Sequence, residues 1–333
     1  DPTTKPVGAG PYTYDSYDQT TYTVKKWPGY YNADAYKLAT IQYLQVTPRQ
    51  PALDALQAGQ VDLASISPTS VKTLEGGGQF AVMQNKIEAF YYMAFCASVA
   101  PNDNLKFRQA VQAAIDRSAI NDTAQGGLGV LQSSLWPKGD SKAIAAYDNE
   151  KPDIAKAKQL LTDAGLTNPT ATIVVQGNQP VQVQIAEIIQ GQLANAGIKL
   201  SIVQSTNIAT DFNNGTNVKG GFGETIDTQS GVSKINFLPG LLSSRIQNTC
   251  QFNTPELNTI VGQLGSLAPD DPKALPLWQQ AQTIVHDQAL VIPLFTQAAA
   301  FGYPKSKVGG IKPGVSTLTV TSVANTFLDG VYI

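Results

Sequence analysis

An α/β fold is what this sequence predicts, and three stretches carry the prediction. The first is Phe90-Tyr-Tyr-Met-Ala-Phe-Cys96, an aromatic and apolar run closed by the breaker Pro101-Asn-Asp-Asn104. It is too short for a helix and reads as a buried strand. The second follows at once. Between Asn104 and Ile120, the apolar residues Phe107, Val111, Ala114 and Ile115 fall at i, i+4, i+7 and i+8, which is one face of an amphipathic helix. The third is a strand, helix, strand succession. Thr170 to Val175 is β-prone, Ile185, Ile188, Ile189 and Leu193 lie at helical spacing, and Gly197 to Val203 alternates. A helix between two strands implies a right-handed crossover.

The composition suits such a fold and removes several function classes. The 333 residues suffice for two domains, and 28 Gly added to the 42% hydrophobic fraction give about half apolar, enough to bury real cores. Charged residues are only 14% and the net charge is -2. No basic run can neutralise a line of phosphates, so nucleic acid is excluded as a partner. No apolar stretch approaches the roughly 20 residues of a membrane-spanning helix. Membrane attachment is therefore expected only through a lipid anchor outside this chain, with any export signal removed before Asp1. The two cysteines, Cys96 and Cys250, form no C-x-x-C motif, and the chain has one histidine. A conventional metal site is close to excluded and no cofactor is expected.

In chain order, residues 1–6 read as linker. Tyr12 to Tyr14 and Thr21 to Lys25 are β-prone runs either side of the polar turn Asp15 to Gln19, which predicts a hairpin. Leu38 to Val46 alternates as a strand. Pro51 to Gly59 has Pro near its start and Gly past its end, as a short helix does, and Val61 to Ser65 returns as a strand. Gly76-Gly-Gly78, Gly126-Gly-Leu-Gly129 and Gly220-Gly-Phe-Gly223 lack a following Lys-Ser/Thr, so none is a phosphate cradle. Leu131 to Pro137 reads as a loop whose Trp136 is either a ligand platform or a plug over the core. Helices are predicted over Asp153 to Gly165, from Asn253 through Leu264, and from Ala274 to Asp287; Leu290 to Phe295 is the next strand, and Val320 to Ile333 a final pair.

Taken in this order, the residues resemble the extracellular solute-binding proteins of family 5, the peptide- and nickel-binding components of ABC importers. The resemblance rests on Gly8-Ala-Gly-Pro-Tyr12, Trp27-Pro-Gly-Tyr-Tyr31, Pro51 to Gly59 with Val61 to Ser65, and Ala94-Phe95 with Pro101 and Asp103. It continues through Phe107-Arg108-Gln109-Ala110, Ala114-Ile115-Asp116-Arg117, Ala157 to Gly165, Ile185-Ala186-Glu187 and Ile292-Pro-Leu-Phe295. It implies an α/β, periplasmic-binding-protein-like type II fold of two lobes, with mixed sheets flanked by helices and crossovers at a hinge. One lobe would take about 7–90 and 298–333, the other about 91–297. In the family a long segment precedes the Gly-Pro-Tyr element, so this chain is expected to be a fragment, lacking the N-terminal part of that fold.

The resemblance also implies a role. A monomer at the cell surface or in the periplasm would capture a small polar solute or peptide in the inter-lobe cleft and deliver it to an ABC permease. The ligand-binding candidates are Tyr91, Tyr92, Trp136, Phe222, Glu224, Thr225, Asp227 and Phe237. The family's peptide-binding members place an anchoring Asp, which pairs with the peptide's α-ammonium group, where this sequence has Thr225. That points to a neutral or amine-blocked ligand, unless Glu224 or Asp227 takes the role. Two other classes stay open. One is a sensor module with the same fold; the other is a hydrolase using carboxylates such as Asp62 or Glu224, against which stands the lack of a nucleophile–base pair. No catalytic or metal-binding residue is expected. Asp62 more plausibly secures a turn, and His286 reads as a helix-end charge without an orienting carboxylate. Arg108, Asp116 and Arg117 read as charges on a solvated helix face, the last two tying the helix end to a loop. In an oxidising compartment Cys96 and Cys250 are either bridged or separately buried.

Overall fold

The computed structural model describes residues 8–44, 49–96, 100–148, 150–206, 224–229, 254–268, 271–312, 315–316 and 330–333. The chain divides into two compact units, Asp1–Ile87 with Ala298–Ile333, and Glu88–Gln297. Two strands carry the chain between them, β5 (Phe80–Phe95) and β9 (Val291–Pro304).

The first unit opens with an antiparallel sheet of β1 (Tyr12–Tyr17), β2 (Thr21–Lys26) and β3 (Thr40–Leu44). The hairpin turn is fixed by Asp18, whose carboxylate accepts from the backbone N–H of Thr21 at 2.8 Å and of Thr20 at 3.3 Å, an Asx turn. Tyr14 opposes Val24, and Tyr22 opposes Tyr43, so aromatic and β-branched pairs stabilise the sheet across its strands. Helix α1 (Arg49–Gln57), strand β4 (Ala64–Ile66) and the short helix α2 (Val71–Gly76) follow. Strand β4 pairs antiparallel with Ala300–Gly302 of β9. A Cβ on Gly302 would stand 2.7 Å from Leu74 Cδ2 and 2.8 Å from Leu56 Cδ2, so a glycine there lets the two helices close on the strand. The sequence reading missed α2 and placed β4 slightly early. Asp62, expected to secure a local turn, pairs with Lys307. The expected strand pair over Val320 to Ile333 lies largely outside the described residues; within them, Tyr332 bridges Gly309.

In the second unit the strand order is β9, β5, β8 (Glu224–Gln229), β6 (Thr170–Gln176), β7 (Lys199–Ser205). Strands β6 and β7 are parallel in continuous register from Thr170↔Lys199 to Gln176↔Ser205, as the intervening helix α6 (Pro180–Ala196) requires. Successive residues of β5 serve different cores, because side chains alternate across a sheet. Tyr91, Met93 and Phe95 join one core with α3 (Leu105–Ala114), α4 (Arg117–Gln125), α5 (Ile154–Asp163) and α6. Phe90, Tyr92 and Ala94 join another with α7 (Pro255–Gly265) and α8 (Ala274–Asp287). Sheet buried on both faces explains why Phe90 to Cys96 is apolar throughout.

The helix expected from Asn104 to Ile120 is two helices. Asn104 caps the first, its side chain accepting from the Lys106 and Phe107 N–H groups. The chain then extends at Ile115, and Asp116 caps the second by accepting from Ala119 N–H at 3.0 Å. Asp116 is one of the residues that cap helices well, and using it so ends the first helix before it. The expectation that Arg108 and Arg117 lie on a solvated face is corrected: they are 3% and 6% exposed. Arg108 donates from Nε and Nη2 to the Gln288 carbonyl and from Nη1 to Asn102 O at 2.8 Å. Arg117 Nε donates to Pro293 O at 2.8 Å. Each guanidinium satisfies backbone carbonyls far away in sequence, which is why helical periodicity alone misassigned it.

Candidate functional site

Strand β8 holds three of the residues expected to bind ligand, and its pairing fixes their neighbours. Glu224 lies opposite Phe95, Thr225 opposite Ala94 and Asp227 opposite Tyr92 in antiparallel register; Glu224 and Thr225 also pair with Ile173 and Val174 in parallel. The segment is thus an interior strand of the sheet, flanked by β5 and β6. Phe222 and Phe237 lie outside the described residues.

Three more of the candidates are core residues of this unit. Tyr91 is 8% exposed, its ring 5.6 Å from that of Phe295. Tyr92 is fully buried beside Phe90, ring centroids 5.8 Å apart. Trp136 is 7% exposed and meets Trp278 edge-on at 4.8 Å, so of the two readings of this loop tryptophan the packing matches the plug. Cys96 is fully buried and disulfide-bonded. Cys250 lies outside the described residues.

A polar cluster that sequence reasoning missed lies in the same unit. His286, near the end of α8, has Nε2 2.6 Å from Glu150 Oε1 and Nδ1 3.1 Å from Asp287 Oδ1. Its ring stacks on Tyr147 with centroids 3.8 Å apart and planes 7° from parallel. Glu150 also faces buried Arg117, Nη1 to Oε2 at 3.5 Å. Two carboxylates therefore orient the imidazole, contrary to the expectation that none does; the nearest is supplied from 136 residues away. Burial pulls the imidazole down, but hydrogen bonds and negative charge from Glu150 and Asp287 outweigh it and hold His286 above its ordinary value. Burial dominates at Arg117, pulling the guanidinium down against the pull of Glu150, and it brings Arg108 to about 10. The Tyr147 phenol is raised by burial and by Asp287 and Glu150, against a lowering hydrogen bond from Thr283.

Chemically, a histidine between two carboxylates can hold a proton, but among the described residues no nucleophile is positioned by it. Ser133 and Ser134 share a narrow crevice with Gln112, Gln282 and His286, and Ser134 donates its hydroxyl to Trp136 O at 3.2 Å rather than to the imidazole. Among the described residues no group of three or more His, Cys, Asp or Glu side chains is arranged to hold a metal ion. Among them, too, no helix is long and apolar enough to cross a membrane.

Comparison with known proteins places this architecture. The model of the bacterial extracellular solute-binding proteins, family 5 Middle, matches residues 1–232. Heme-binding protein A of Haemophilus influenzae is 30% identical over 311 residues, covering 87% of this chain and 54% of the relative. The glutathione-binding protein GsiB of Escherichia coli K12 is 26% identical over 326 residues, covering 91% and 61%. The chain thus spans between half and two thirds of the length of these two relatives. Among solved structures, the ABC transporter substrate-binding protein CtaP of Listeria monocytogenes aligns at TM-score 0.83 with 21% identity, over 99% of this chain and 67% of that one. The periplasmic binding protein DppA of Helicobacter pylori, in complex with peptide STSA, aligns at 0.77 with 20% identity, over 99% and 64%. The fold is that of the periplasmic binding proteins, and the chain belongs to the bacterial extracellular solute-binding proteins of family 5.

Proposed function

We propose that this chain is the ligand-capturing part of an ABC importer's solute-binding protein, and that it works outside the cytoplasm as a monomer that hands its solute to a permease. It binds and releases; it does not convert. The observation that carries this reading is the family match across most of the chain, and that no described residue is a nucleophile positioned by the one histidine supports binding over hydrolysis. A sensor with the same fold would bind in the same way and differ only in its partner.

The ligand class follows from β8. Thr225 stands where peptide-binding relatives of the family carry their anchoring carboxylate, and a neutral hydroxyl cannot replace a charge-assisted bond to an ammonium group. A buried unpaired ammonium would cost several kcal/mol. Unless Glu224 or Asp227 takes that role, the solute is a neutral or polar small molecule, or a peptide with its amine blocked, held by hydroxyl and amide groups with Phe222, Thr225 and Phe237 as the candidate contacts. Calorimetry on the full-length protein, with di- to pentapeptides against their N-acetylated forms, tests this. The expected result is that acetylation does not weaken binding. Micromolar binding that acetylation abolishes would refute the assignment of Thr225.

In the oxidising compartment that this role implies, the partner of Cys96 is Cys250, the only other cysteine in the chain.

A further inference from the structure

The chain's single histidine, on α8, meets both a loop and Gln112 of α3, and which hydrogen bonds it can make depends on its charge. Among the described residues, the loop between α4 and α5 meets α8 where Trp136 packs on Trp278, where the Tyr147 hydroxyl bonds Thr283, and at the following further points. Gln282 Nε2 donates to Lys142 O at 2.9 Å, the Tyr147 ring lies flat on His286, and Glu150 meets His286 Nε2 at 2.6 Å. Only the last two involve His286. A charged imidazolium donates from both nitrogens, to Glu150 and to Asp287, and offers a cation to the face of Tyr147. A neutral imidazole that keeps its Nδ1–H toward Asp287 turns a lone pair toward the Glu150 carboxylate, which repels it. That lone pair instead accepts from the Gln112 amide on α3, whose Nε2 is 3.1 Å away. Among the described residues, Glu150 then retains Arg117, on α4. The ionisable groups facing the imidazole are thus Glu150 and Tyr147 from the loop and Asp287 from its own helix, with Arg117 behind Glu150.

We propose that His286, Glu150 and Tyr147 form a proton-operated latch: with His286 charged, Glu150 and the Tyr147 ring are fastened to it, and with His286 neutral the bond to Glu150 is exchanged for one that His286 accepts from Gln112. The sign follows from linkage. A histidine held above its unfolded value of about 6.5 stabilises the folded chain fully below that pH, and the contribution is lost as pH rises through the folded value. The latch is therefore closed in mildly acidic surroundings and opens toward alkaline pH.

Having one histidine makes the test direct. In protein carrying 13C-histidine and 13C-tyrosine, NMR from pH 5 to pH 9 reads the imidazole and the Tyr147 ring together. The expected result is a histidine midpoint above about 6.5, with Tyr147 signals moving at the same midpoint. In Glu150→Gln the midpoint should fall and the Tyr147 signals should lose their dependence on it. A wild-type midpoint at or below the ordinary value, or Tyr147 signals that stay still while His286 titrates, would overturn the proposal. The wild-type titration alone decides this if the variant fails to fold.

Discussion

Replacing Arg117 by alanine is expected to lower the unfolding free energy by about 3–4 kcal/mol. Three losses combine. The Pro293 carbonyl, which accepts from Arg117 Nε at 2.8 Å, loses that donor in the interior; Glu150 loses the permanently charged one of its two basic neighbours; and a side chain only 6% exposed leaves a void. Arg117→Met separates these. It restores most of the volume and should recover part of the loss, as hydrophobic replacements of buried charges often do. Urea unfolding of both variants checks the pair. A loss below about 1 kcal/mol for Arg117→Ala, in the range of an exposed ion pair, would mean that the sequence-based reading of a solvated arginine was the better one.

The second large effect is expected on reduction. The proposed Cys96–Cys250 bond closes a loop of about 150 residues, and the chain-entropy model assigns it about 4–5 kcal/mol. Thiol titration under denaturing, non-reducing conditions should find no free thiol, and a reductant should shift the urea midpoint to lower concentration. Two titratable thiols would refute the pairing.

How much of this was legible depended on whether the determining contacts are local. The crossover of β6, α6 and β7 was readable because strand alternation and helical spacing are properties of adjacent residues. The break at Ile115 was not, since the pattern of Phe107, Val111, Ala114 and Ile115 runs through it and only the capping role of Asp116 ends the helix. Arg108 and Arg117 were misplaced for a related reason. Their partners, Gln288 O and Pro293 O, lie 180 and 176 residues away, and an arginine's periodicity does not say whether carbonyls await it. The same holds for Glu150 and His286. Strand β8 is absent from the sequence reading, which marks Glu224, Thr225 and Asp227 only through the family resemblance, because Glu224 to Gln229 is not apolar and sits in the sheet's interior by virtue of its pairing to β5 and β6. Tyr91, Tyr92 and Trp136 were marked as ligand contacts because they are aromatic. The same property makes them core residues here.

The claim that this chain captures a solute and leaves it unchanged is tested most directly by a thermal-shift screen of the full-length protein against small polar solutes and blocked peptides, with mass spectrometry of every solute that binds. A ligand at a hundredfold excess over its Kd stabilises by about 2.7 kcal/mol, enough to raise the melting temperature by several degrees. The expected result is such a rise for at least one solute, recovered chemically intact after prolonged incubation. Recovery of that solute as a product, at a rate proportional to protein concentration, would contradict it.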